Sequence, residues 1–71
     1  MINTRKLKAR IIEQGFTQET LAPVIGMSSS TLGRKIKNSA DMTLREVAVI
    51  CEVLDIPQEK ILEYFMWDGK R

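Results

Sequence analysis

The most restrictive feature of this chain is the brevity of one connection. Gly26 closes a stretch with helical periodicity, and Ser28 opens another. Upstream of the glycine, Thr17 offers a hydroxyl N-cap for a helix over 18–25, with Glu19 near its positive end and Leu21 and Ile25 four apart on one face. Gly26 permits the tight turn that stops this helix. Downstream, Ser28 caps a helix to about Lys37, in which Leu32 and Ile36 point inward while Ser29, Ser30, Gly33, Arg34 and Lys37 take other faces. Two helices joined only by Gly26–Met27 cannot lie side by side; they must cross steeply, and the second protrudes on a narrow apolar stripe.

The rest of the chain builds a scaffold for that pair. Its 71 residues leave room for one compact domain over 1–71, with modest stability because a chain this short buries only about 60% of its unfolded surface. Asn3 or Thr4 can cap a first helix carrying Leu7 and Ile11, ended by Gly15 in the left-handed conformation, with Phe16 as a core anchor between helices. Thr43 and Glu46 form a capping box, and Met42 with Val47 a hydrophobic staple, at the start of a fourth helix whose face is Leu44, Val47, Cys51 and Leu54. Pro57 suits the first turn of a fifth helix that buries Ile61 and Phe65. No segment alternates as a strand does, so the expected fold is all-α with five short helices. Pro23 falls inside the second helix, where it removes a backbone hydrogen bond; either the axis bends there or the helix ends early.

Composition excludes several kinds of chemistry. The single Cys51 has no thiol or histidine to join it in a disulfide or zinc site, and is expected to be a buried small hydrophobe. With no histidine, one buried thiol and no carboxylate pair set in a recognisable motif, no nucleophile and base can be assembled; an enzyme, a cofactor and a small-molecule ligand are not expected. No apolar run approaches the roughly 18 residues of a membrane span, and MINTRKLKAR lacks a signal-peptide core, so a cytoplasmic protein is expected. Charge is uneven. Residues 1–40 carry seven basic side chains against two acidic, and residues 41–71 four against seven. A polyanion would be drawn to the first half and turned away from the second.

The segment TQETLAPVIGMSSSTLGRKIKN, residues 17–38, resembles the helix-turn-helix of the lambda-repressor-like family, which includes phage Cro proteins and repressors. The matching features are Gln18 after the cap, Leu21–Ala22 in the first helix, Ile25–Gly26 at the turn and Leu32 in the second helix. The likeness extends more loosely over the five-helix pattern from about 3 to 65. It implies a lambda-repressor-like DNA-binding domain, whose second motif helix lies in the major groove of double-stranded DNA with its N-terminal residues at base edges. Carried over position by position, Ser29, Ser30 and Arg34 are the candidates to read bases, with Thr31 a weaker one. Arg34 alone has the bidentate fork matched to guanine O6 and N7. Gln18 and Ser28 would meet phosphate at helix N-termini, and Lys35, Lys37 and Asn38 the opposite side of the groove. Each has a plainer alternative: capping for Gln18 and Ser28, simple solvation for the lysines. Lys35 is also a departure, a polar residue where relatives are often apolar.

The implied role is a small phage-type transcriptional regulator, a Cro-like repressor acting as a homodimer on its operator. Tyr64, Phe65, Met66 and Trp67 offer more apolar surface than one short helix buries, which makes the fifth helix and tail a candidate dimer contact. The alternative is a helix-turn-helix module that binds protein, such as an antirepressor or assembly factor. The Arg34–Lys35 pair beside three serines favours DNA, since a protein-binding face more often presents aromatic or Met anchors.

Overall fold

The structure, a computed structural model, describes residues 2–37 and 42–65. It is a small all-α domain of five short helices with no strand among the described residues: α1 (Thr4–Glu13), α2 (Gln18–Val24), α3 (Ser29–Lys37), α4 (Leu44–Val53) and α5 (Ile61–Phe65), the last preceded by a 3₁₀ turn at Gln58–Lys60. None of the described helices is long and apolar enough to cross a membrane.

Local chemistry sets most of the helix ends. Asn3 caps α1, its Oδ1 accepting the Lys6 N–H at 3.2 Å. Thr17 and Thr20 exchange backbone and side-chain hydrogen bonds across the first turn of α2, and Thr43 and Glu46 do the same for α4. Three helices end alike. Gly15 (φ 84°), Gly26 (φ 80°) and Asp55 (φ 54°) take left-handed backbone. The residue after each, Phe16, Met27 or Ile56, donates its N–H back to Ile11, Ala22 or Cys51. This is the Schellman arrangement, which satisfies carbonyls that the helix end would otherwise orphan.

Pro23 is tolerated inside α2 because it lies one residue from the end. Its ring removes the bond that would reach the Glu19 carbonyl, and both residues are exposed, so water can take that acceptor. The helix stops at Val24 with Ile25 as its C-cap, one residue short of the expected end.

The core joins all five helices: Leu7 and Ile11 of α1, Leu21 and Ala22 of α2, Leu32 and Ile36 of α3, Ile50 and Cys51 of α4, Leu54 and Ile56 beyond it, and Tyr64 and Phe65 of α5. Cys51 is buried as expected, and loss of solvation pushes its thiol pKa up. Phe16, Met42 and Val47 pack against this core from its margin. Two expectations fail. Leu44 is 88% exposed, and Ile50 takes the inward place instead. At 100° per residue Val47, Ile50, Cys51 and Leu54 cluster around one direction, while Leu44 stands to its side on the first turn. In α5 the buried pair is Tyr64 and Phe65, with Ile61 only half-buried.

Candidate functional site

Helices α2 and α3 are the most closely packed pair in the domain. Gly26 supplies the positive φ of the turn between them. Across the joint, Gln18 Nε2 donates to the Ser29 carbonyl at 3.1 Å. Gly33, one turn along α3, makes room for that amide: a Cβ there would lie 2.7 Å from Gln18 Nε2. Gln18 is therefore neither a cap, a role that Thr17 fills, nor solely a surface group. It is a strut between the two helices. Ser28 caps α3, its Oγ accepting the Thr31 N–H at 3.2 Å and donating to Thr31 Oγ1 at 2.8 Å.

The three sides of α3 have different roles. Leu32 and Ile36 form the buried stripe. Ser30, Arg34 and Lys37 are exposed and share a ridge, because positions i, i+4 and i+7 fall together, with Arg34 about 180° from the centre of the buried stripe. Ser29 and Gly33 occupy the flank that meets Gln18, and Thr31 and Lys35 the flank toward α4. All four are half-buried.

Lys35 does turn to the flank, but its ammonium is engaged there. Nζ lies 2.6 Å from Glu46 Oε2, with side-chain exposures of only 16% and 23%. The other Glu46 oxygen accepts the Thr43 N–H at 2.9 Å, so one carboxylate both caps α4 and holds α3. The bonds from Lys35 and then from the Thr43 backbone hold the Glu46 carboxyl below the usual carboxylate range. The sequence anomaly at Lys35 is thus a matched pair. Asn38, the remaining candidate, lies outside the described residues, as do Met66 and Trp67.

The basic half of the chain divides in the same way. Lys6 bonds Glu63 and lies 5.2 Å from the Tyr64 ring centroid, fastening α5 to α1. Arg10 was not singled out from the sequence, yet it clamps the end of α4: Nε donates to the Leu54 carbonyl at 2.9 Å and Nη2 to that of Asp55 at 2.6 Å. These three cations, counting Lys35, are half-buried, whereas Arg5, Lys8, Arg34 and Lys37 are exposed. Tyr64 and Phe65 are buried in the core, so the spare apolar surface expected of them is absent; Leu62, at 66% exposure, is the large apolar side chain that α5 shows.

The family described as "Protein of unknown function (DUF739)" matches residues 2–68, nearly the whole chain. No curated protein and no solved structure matches.

Proposed function

The chain belongs to the DUF739 family, and from the geometry of α2 and α3 we propose that it binds double-stranded DNA with α3 in the major groove, as a small transcriptional regulator of the helix-turn-helix kind. The observation that carries this reading is the ridge of Ser30, Arg34 and Lys37, opposite the buried stripe of a helix braced on both flanks. A helix that reads bases must enter the groove without large side chains holding it away, and must not rotate once there. Ser30 is short, while Gln18 and Glu46 resist rotation from either side. Arg34 at the centre of the ridge is the base-reading group, suited to guanine O6 and N7. Ser30 assists at the N-terminal end and Lys37 meets phosphate at the other.

Two roles differ from those the resemblance implies. Ser29 gives its carbonyl to Gln18 and stands on the flank, so it serves the joint ahead of the base edges. Lys35 could reach a phosphate only by leaving Glu46, so its share of DNA affinity is small. Of the basic side chains in 1–40, Arg5, Lys8, Arg34 and Lys37 are the exposed ones, and these are the cations proposed to meet the duplex.

One short helix covers only a few base pairs, so two copies acting on half-sites about 34–36 Å apart complete the proposed regulator. Selection from a random duplex library, followed by titration of the recovered site at several salt concentrations, tests this. A pseudo-palindromic site is expected, with the logarithm of affinity falling at about 0.9 per neutralised phosphate against log salt. Failure to enrich any duplex, together with a flat salt response, would overturn the DNA reading in favour of a protein-binding module.

A further inference from the structure

Helix α4 has a second face that the core does not use. Opposite Val47, Ile50, Cys51 and Leu54 lie Arg45, Val49 and Glu52, with Ala48 and then Leu44 toward one side, all exposed. Leu44, at 88%, is the most exposed large apolar side chain among the described residues, and Val49 is exposed at 37%. Arg45 and Glu52 are seven residues apart, so they project within about 20° of each other and stand about 10.5 Å apart along the axis. Neither forms an ion pair among the described residues.

We propose that this face of α4 pairs with the same face of a second copy of the chain, the two helices antiparallel about a two-fold axis between Ala48 and Val49. The spacing is self-complementary. Such an axis sets Arg45 against the partner's Glu52 and repeats the contact by symmetry, as an isologous interface requires. A parallel pairing would instead oppose arginine to arginine and glutamate to glutamate. Ala48 beside the axis adds little bulk to the seam, so the Arg45–Glu52 contacts set the separation of the two helices. A ten-residue helix is only about 15 Å long, so the contact falls at the low end of specific interfaces. It is weak between free chains and strengthened where two copies are held close. The contact itself needs no nucleic acid, so it stands or falls apart from the DNA reading.

The full chain carrying Ala48→Cys, treated with a short bis-maleimide, tests the pairing; native Cys51 is buried and serves as the unreactive background. Cross-linked dimer is expected to rise with protein concentration and to exceed that of a Lys60→Cys control at another exposed site. Arg45→Glu and Glu52→Arg, each added to Ala48→Cys, place like charges across the axis and should each reduce the yield several-fold. Mixing the two restores it, because the mixed pair again has opposite charges at both contacts. Circular dichroism confirms that these exposed substitutions leave the helices folded. Ala48→Cys cross-linking no better than the control, or a mixture that dimerises no better than either variant alone, would overturn the proposal.

Discussion

Helix α3 is fastened on its two flanks by different physics. Toward α2 the joint is uncharged and depends on shape: the Gln18 amide reaches the Ser29 carbonyl only because Gly33 has no Cβ in its path. Toward α4 it is ionic: Lys35 meets a Glu46 carboxylate already fixed by the capping box with Thr43. The first joint holds no titratable group and should be indifferent to pH. The second depends on the ionisation of one carboxyl. A helix braced in this way can lose one constraint while keeping the other, so the two can be separated by experiment.

The largest expected effect removes what both joints share. Leu32 is fully buried beneath α3, and Leu32→Ala should lower unfolding free energy by about 2–5 kcal/mol, measured by urea denaturation. A loss no greater than that of an exposed substitution would mean that α3 is held by its flanks alone.

Acid should act on the ionic joint only. A carboxyl whose folded pKa is lowered contributes stability above its unfolded pKa, and that contribution is lost as pH falls through the folded value. Glu46 should therefore supply part of the wild-type stability near neutral pH and none in strong acid. Glu46→Gln should be less stable than wild type at neutral pH and converge with it on acidification. Urea midpoints across that range check the convergence; parallel curves would remove the ionic joint from the comparison.

The smallest expected effect lies at the uncharged joint. Gly33→Ala gains about 1 kcal/mol of helix propensity and displaces the Gln18 end, losing a hydrogen bond of about the same size, so net stability should scarcely change. In a Gln18→Ala background the obstacle is gone, and Gly33→Ala should stabilise by about 1 kcal/mol. A double-mutant cycle reads that coupling, and purely additive values would show that Gln18 is no strut.

The parts of this molecule that were legible in the sequence are those written in adjacent residues. Asn3, Thr17, Ser28 and the Thr43–Glu46 box all begin helices where their spacing predicts, and Gly15 and Gly26 end them. Asp55 ends α4 in the same left-handed geometry, but its signal is weaker, and part of its support comes from Arg10, 44 and 45 residues from the carbonyls it holds. Distance in sequence also hid the partner of Lys35, eleven residues away beyond the next helix boundary. In α5 Ile61, Tyr64 and Phe65 share one side at 100° per residue, yet Ile61, in its first turn, is only half-buried while Tyr64 and Phe65 are buried; periodicity gives the face and not how far along the helix the core reaches. At the candidate site, the character of Ser30, Arg34 and Lys37 was readable from periodicity. The commitment of Gln18, Ser29 and Lys35 to the joints was not, because a helical period tells which residues share a face and not what each face meets.

Dimethyl sulfate footprinting on the selected duplex tests most directly whether α3 lies in the major groove with Arg34 at a base edge, since the reagent reports guanine N7, an atom the guanidinium would engage. Wild-type protein is expected to protect guanine N7 in each half-site. Arg34→Ala, at a concentration that restores occupancy, should leave one guanine per half-site newly reactive while the other protections persist. Occupancy without N7 protection, or an Arg34→Ala footprint identical to wild type at equal occupancy, would contradict the orientation of α3 proposed here.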